Sequence, residues 1–208
     1  MIAFDVLLII ILFSIFAFIH TLLATLEVKR RIVKNIGEKI AFYRLFYNIS
    51  SLILFSAFYF ISPKPDVIVY DLHYPFDIIT FALQVLSLFG LIWSIRTFNL
   101  KEFTGIEQIQ RYLNGTYDKT ELDEKAKLSI KGAAKIVRHP LYLFFILFLG
   151  LRPTMSLFYF VTFLCITAYF YIGSFYEEKR LVEIFGDKYK EYQEKVPRIF
   201  PIKFFKSK

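Results

Sequence analysis

Ile136-Val137-Arg138-His139-Pro140-Leu141-Tyr142 begins the stretch on which the reading of this chain turns. It closes near Tyr192, after Glu177-Glu178-Lys179-Arg180-Leu181 and Phe185-Gly186-Asp187-Lys188-Tyr189. Proline disfavours helical geometry in the residue before it and suits the first helical position, so His139 is expected to be extended and Pro140 to open a helix. The first amides of that helix, with the positive end of its dipole behind them, face a basic flank and can hold a carboxylate or phosphate. The paired glutamates stand at the far end of an apolar hairpin. An anion hole on one side and carboxylates on the other suit a zwitterionic cofactor.

Outward from this stretch, the 208 residues are 56% hydrophobic and 20% aromatic, more apolar surface than a soluble domain of that size can use. Several runs approach the roughly 18 residues that cross a bilayer. The first is too long and too poorly flanked for a signal peptide. The expectation is an all-helical integral membrane bundle, residues 1–208 forming one domain. The net charge of +8 is spread over segment ends, so anionic lipid headgroups are the expected partner and nucleic acid is not. Cys165 is the single cysteine and lies inside an apolar run, which leaves no disulfide framework and no thiolate zinc site.

Five spans are expected, at about Phe4–Leu26, Ile40–Ile61, Phe76–Phe98, Leu141–Leu149 and Thr154–Tyr176. The last two form the hairpin, turning at Gly150-Leu151-Arg152-Pro153. The arm beginning at Leu141 is short for a crossing; it either borrows length from Ile136 and Val137 or sits tilted. Lys29, Arg30, Arg31, Lys34 and Lys39 crowd the first connection, whereas the second has only Lys64. The bias puts the N-terminus outside and the C-terminus in the cytoplasm. His20, Arg44, Asn48, Arg96, Arg138, His139, Glu177 and Glu178 then all fall at the cytoplasmic membrane face. Ionisable groups at that depth are costly and mark a site or a mutual pairing, so one polar chamber is expected.

Between Asn99 and Lys135 the chain is polar. Ile106, Ile109, Tyr112 and Leu113 recur at helical spacing and Asn114-Gly115 supplies a stop, giving a short interfacial helix. The charged run Asp118–Lys127 reads as a solvated loop, with a mobile lid as the sharper alternative. Beyond Tyr176 an amphipathic segment carries Leu181, Ile184 and Phe185 on one face, breaks at Gly186 and resumes with Tyr189 and Tyr192. Val196-Pro197 and Phe200-Pro201 call for extended backbone, and Lys203 to Lys206 form a basic aromatic tail suited to headgroups.

Common chemistries are demoted in turn. No two glycines form a G-x-G pair, so the dinucleotide fingerprint and phosphate loop are absent. His20, His73 and His139 stand far apart with no carboxylate at metal-site spacing. No serine nucleophile elbow is present.

Gly132, Arg138-His139-Pro140-Leu141-Tyr142, Arg152-Pro153-Thr154-Met155, Tyr169, Gly173, Glu177-Glu178-Lys179-Arg180-Leu181, Phe185-Gly186, Tyr189, Tyr192, Val196-Pro197 and Pro201 resemble the C-terminal half of the isoprenylcysteine carboxyl methyltransferase superfamily of membrane methyltransferases. The front end, with Phe16, His20-Thr21-Leu22-Leu23-Ala24, Lys29-Arg30, Gly37, Tyr43-Arg44 and Tyr47-Asn48, is similar to its methanethiol S-methyltransferase and NnrU-type branch. The likeness covers nearly the whole chain apart from Pro63–Tyr74 and the charged loop. One departure is Ala134, where related sequences usually carry an aromatic residue; it bears on the packing of the loop that approaches the cofactor.

The resemblance implies S-adenosylmethionine as methyl donor, held between the R-H-P segment and the E-E helix. Arg138, His139, Pro140, Leu141, Tyr142, Tyr169, Gly173, Tyr176, Glu177, Glu178 and Leu181 are the cofactor-binding candidates. The residues are chemically apt: amides after Pro140 with Arg138 take a carboxylate, Glu177 or Glu178 accepts from ribose hydroxyls or an ammonium, and tyrosine faces suit a sulfonium. Methyl transfer chiefly needs positioning and exclusion of water. A thiol acceptor must lose a proton, to His20 or His139; a carboxylate acceptor would instead pair with Arg44 or Arg96. Each residue also has a plain structural role open to it. His20 can bond a neighbouring helix, Arg44 and Arg96 can snorkel, the glutamates can be a solvated pair and the tyrosines belt or core residues. Two further readings stand beside the enzyme: a non-catalytic membrane binding or assembly module of the same fold, and an NADPH-dependent membrane reductase.

Overall fold

The computed structural model describes residues 1–96, 99–120, 122 and 128–202. In chain order the elements are α1 (Ile2–Ala24), α2 (Leu26–Ile36), α3 (Tyr43–Ile61), β1 (Ile68–Asp71), α4 (Phe76–Ile95), α5 (Leu100–Thr104), α6 (Ile106–Leu113), α7 (Pro140–Gly150), β2 (Thr154–Ser156), α8 (Leu157–Phe185) and α9 (Asp187–Lys195), with single 3-10 segments at Gly37–Phe42 and Gly132–Lys135. Among the described residues four helical stretches are long and apolar enough to cross a membrane: Ile2–Ala24, Leu26–Ile61, Phe76–Ile95 and Leu157–Phe185. The chain is an all-α, multi-pass membrane protein. Phe98, the expected end of the third span, lies outside the described residues, as do 121 and 123–127 of the charged run and the Lys203–Lys206 tail.

The chain forms two compact units, Met1–Pro63 with Phe98–Lys127, and Lys64–Thr97 with Leu128–Lys208. In the first, α1 is apolar on all sides, yet only Ile9 and Phe13 are buried, as suits a helix that faces lipid. It packs on α3 through aromatic edges, Phe13 against Phe58 at 5.5 Å and Phe16 against Phe55 at 5.3 Å. The basic connection after Ala24 is itself a helix, α2, capped by the Thr25 hydroxyl. The interfacial helix expected from Ile106, Ile109, Tyr112 and Leu113 is α6, and Asn114 caps its end. Gly105 joins α5 to α6 with φ +94°, a left-handed turn that only glycine takes at no cost.

In the second unit α4 lies against α7. Gly90 makes the approach possible, since a Cβ there would fall 2.3 Å from Phe144 Cδ1. Gln84 Nε2 donates to the Phe148 carbonyl at 2.9 Å, a polar tie between two apolar helices. Pro140 opens α7 as expected, with His139 outside the helical region at φ −118°, ψ 67°. Its eleven residues rise about 17 Å, roughly half of a hydrocarbon core. Helix α8 runs on to Phe185, nine residues beyond the expected membrane exit at Tyr176. It stops at Gly186, φ +58°, where the break was expected.

One feature is unlike the expectation. The apolar residues before α4 and the turn after α7 form two short antiparallel strands, Ile68 opposite Ser156, Tyr70 opposite Met155 and Asp71 opposite Thr154. Pairing satisfies backbone groups that an open loop would leave to solvent or lipid, and Thr154 Oγ1 donates to Asp71 Oδ1 at 2.6 Å. Val137, Leu143, Ile146 and Ile199 form the buried core beneath the R-H-P segment, with Phe163 and Phe170 packed on it.

Candidate functional site

In the second unit the R-H-P segment is held by the C-terminal tail. Arg138 N–H donates to Pro197 O and His139 N–H to Arg198 O, both at 2.9 Å, so residues 197–198 lie beside the motif like an added strand. Ile199 then plugs the core. The extended backbone expected after Tyr192 therefore has a purpose that its prolines alone did not disclose.

Glu178 is the knot. Its carboxylate takes Arg138 Nε at 2.8 Å and Nη2 at 3.0 Å, Gln193 Nε2 at 2.9 Å and His139 Nε2 at 3.1 Å, with Arg198 Nη2 at 3.3 Å. It is 2% exposed. Burial of a carboxylate is tolerated because every lone pair has a donor, most of them cationic. The remaining Arg138 nitrogen, Nη1, donates to the Gln193 and Val196 carbonyls at 2.9 and 2.5 Å. Tyr192 adds a bond from its hydroxyl to the Ala134 carbonyl at 2.5 Å. Burial is the main cause that pushes the Tyr192 phenol up to about 12, and it raises Tyr189 as well.

Glu177, one residue earlier, faces elsewhere. It accepts from Tyr142 OH at 2.9 Å, lies 3.5 Å from His139 Nδ1 and has an accessible side chain. His139, Tyr142 and Phe170 stack in parallel, with centroids 5.1 and 4.4 Å apart and planes within 10°. Along α8 a Cβ at Gly173 would meet no atom within 4 Å, and Tyr176 is exposed. Tyr169 sits tilted against Phe170, and Leu141 and Leu181 are half-buried. Arg96 is exposed at the end of α4. The loop position marked by Ala134 is buried against this frame.

The remaining candidates belong to the first unit, so the residues assigned to one chamber divide between the two units. His20 Nδ1 is 2.9 Å from Ser51 Oγ and Nε2 is 2.8 Å from Tyr47 OH. Arg44 Nε and Asn48 Nδ2 both donate to the Phe103 carbonyl, at 2.9 and 3.0 Å, docking the end of α5 on α3. The Arg44 guanidinium also lies over the rings of Phe103 and Tyr47, at 4.9 and 5.3 Å. A narrow cavity beside it is lined by Lys29, Tyr43, Arg44, Tyr47 and Gln108 among others. Tyr47, Ser51, Gln193 and Arg198 were not among the site candidates. Tyr47 stood in the front-end motif, but nothing in the local pattern pointed to Ser51, Gln193 or Arg198.

A membrane-embedded helical protein with a buried Arg-His-Glu knot at a helix start and an accessible carboxylate beside it is the class that this fold and site define. Methanethiol S-methyltransferase of Crocosphaera subtropica is 32% identical over 200 residues, 91% of this chain and 72% of the relative. Methanethiol S-methyltransferase 1 of Bradyrhizobium diazoefficiens is 28% identical over 195 residues, 92% of this chain and 65% of the relative. Methanethiol S-methyltransferase of Pseudomonas deceptionensis is 46% identical over 67 residues, 32% of this chain and 26% of the relative. The chain belongs to the methanethiol S-methyltransferase family, within the isoprenylcysteine carboxyl methyltransferase superfamily. It spans less than two thirds of the length of the last two relatives. No family model matches the chain, and no solved structure matches it.

Proposed function

We propose that the chain is an S-adenosylmethionine-dependent membrane methyltransferase whose acceptor is a small thiol. The observation that carries this is family membership over nine tenths of the chain, joined to the meeting of Arg138, His139, Tyr142, Glu177 and Glu178 within hydrogen-bond reach. The relatives' shared name favours neither a non-catalytic module nor a nicotinamide reductase. The whole chain acts as one enzyme domain with five crossings, the N-terminus outside and the C-terminus cytoplasmic. The charge bias of the connections and the apolar α7 support that topology.

The residues fit the donor. Glu177 is an accessible carboxylate for ribose hydroxyls or an ammonium, and the first turn of α7 at Leu141 and Tyr142 lacks acceptors within the helix for its amides. Tyr169, Gly173 and Tyr176, at helical spacing, leave open space at the glycine for an adenosyl group. Arg138, Glu178, Pro140 and Leu181 would frame the donor site, with His139, bonded to Glu178 and stacked on Tyr142, at its edge. Bound there, S-adenosylmethionine supplies a methyl group on a sulfonium. Around it the chain aligns the acceptor, excludes water and removes the thiol proton. His20 and His139 are the proton acceptors to test; Arg44 and Arg96 are the groups for an anionic acceptor.

Calorimetry of the purified chain should register binding of S-adenosylmethionine and its loss in His139→Ala. Labelled-methyl transfer should then go to small thiols; transfer to prenylcysteine analogues alone would remove the thiol reading, and no heat in the intact protein would remove the enzyme.

A further inference from the structure

We infer that Arg198 and Lys179 hold the phosphate of an anionic phospholipid against α8, with its acyl chains along Ile172 and Phe175, and that this lipid fastens the C-terminal tail on the R-H-P motif. The site stands whatever the methyl acceptor is.

Arg198 is the surplus cation of the knot. A carboxylate accepts about four hydrogen bonds, and for Glu178 these come from Arg138 Nε and Nη2, His139 Nε2 and Gln193 Nε2. Arg198 Nη2 stands outside that set, 3.3 Å from Oε2, beside a charge that Arg138 already grips. The Arg198 guanidinium lies over the Phe175 ring, 3.7 Å from its centroid, which fixes its place but satisfies none of its N–H groups through an acceptor oxygen. Nε is buried with no acceptor among the described residues; Nη1 has none either and is not buried. The side chain is 26% exposed, so an incoming acceptor can reach it. A fork of N–H groups of this kind matches phosphate oxygens.

Helix geometry says which flank this is. At 100° per residue Phe175 and Glu177 point about 160° apart around α8, so Arg198 serves a different side from the carboxylate offered to the methyl donor. On the Phe175 side stand Ile172, three residues before it, and Lys179, four residues after it. Ile172 is 56% and Phe175 45% exposed, on a helix long enough to cross a membrane. Lys179 is exposed and has no ion pair among the described residues. Glu183, a further turn from the apolar run, makes none with it.

An open apolar face that ends in two cations at the last turn of the membrane run has the shape of a phospholipid, chains below and phosphate at the changeover. A soluble anion would leave Ile172 and Phe175 without a purpose. A choline headgroup would bring its own positive charge against Arg198 and Lys179, so a net-anionic lipid is the better partner. The occupant also acts on the motif, because the Arg198 carbonyl accepts from His139 N–H at 2.9 Å and the next residue, Ile199, is buried in the core. Holding the Arg198 side chain from outside holds that strand in place.

The test titrates the full chain in maltoside detergent with phosphatidylglycerol and with phosphatidylcholine, reading bound lipid by native mass spectrometry. Phosphatidylglycerol should bind about tenfold more tightly. Lys179→Gln should weaken it by about fivefold, the worth of one cation at a headgroup, while Lys188→Gln, an exposed lysine on α9, should leave it unchanged. Arg198→Gln should lose the preference altogether, and Lys179→Gln keeps the test decisive if that variant unfolds. Hydrogen exchange at the Arg138 and His139 amides should slow on adding phosphatidylglycerol to the wild type. Equal affinity for the two lipids, or the same loss in Lys188→Gln as in Lys179→Gln, overturns the site. Displacement of the lipid by millimolar inorganic phosphate overturns the lipid as its occupant, and unchanged exchange overturns the fastening of the tail.

Discussion

Arg138 grips Glu178 across forty residues with two parallel bonds, Nε to Oε1 at 2.8 Å and Nη2 to Oε2 at 3.0 Å. Both side chains are buried, 8% and 3% exposed. Truncating one partner of such a pair strands the other charge, so Glu178→Ala should cost about 3 to 5 kcal/mol. Thermal unfolding in detergent measures it. Arg138→Lys should lose much of the same stability, because an ammonium cannot form the fork.

Glu177 should behave differently although it is the adjacent residue and the same acid. Its side chain is 45% exposed and, among the described residues, ties to Tyr142 and His139. Glu177→Gln should leave the unfolding temperature within about 2 °C of wild type. It should weaken S-adenosylmethionine binding by about 10- to 100-fold, the worth of one charged hydrogen bond. Calorimetry separates the two glutamates, and equal loss of stability in both would undo the distinction.

Tyr192 predicts an alkaline limit. Its folded-state value of about 12 lies above the ordinary phenol value, so its contribution is complete below the unfolded value near 10 and is lost as pH rises through 12. On the order of 2 kcal/mol should disappear over that window. Unfolding followed from pH 9 to about 12 should show a steeper fall in wild type than in Tyr192→Phe, which has no proton to lose.

Gly90→Ala should weaken the α4 to α7 contact. Phe144 lies where the new methyl would go, at 2.3 Å, and overpacking of this kind costs about 1 to 3 kcal/mol. Adding Phe144→Leu should recover part of the loss, which a double-mutant cycle in unfolding free energy detects.

Gly105→Ala tests the α5 docking that Arg44 and Asn48 share. The added Cβ would lie 2.8 Å from the Leu45 backbone nitrogen at a residue with φ +94°, so both space and backbone oppose it. The expected outcome is loss of about 1 to 3 kcal/mol, with faster proteolysis near residues 100–113.

Hydrophobic run lengths were enough to read the long apolar helices, and local chemistry was enough for their ends. Pro140 opened α7, Asn114 closed α6 and Gly186 closed α8 because those preferences belong to the residues themselves. The membership of Arg138, His139 and the glutamates in one cluster was also legible, from motif and resemblance. What no stretch of residues could reveal was which way each side chain faced. Glu177 and Glu178 differ by about 100° of rotation around α8, and only the seating of that helix against α7, α9 and the tail turns one carboxylate into the knot and leaves the other accessible. The same holds for Ser51 behind His20 and for the strand pair at Tyr70 and Met155. Each joins residues far apart in the chain, and such contacts depend on how whole elements pack rather than on anything their neighbours in sequence encode.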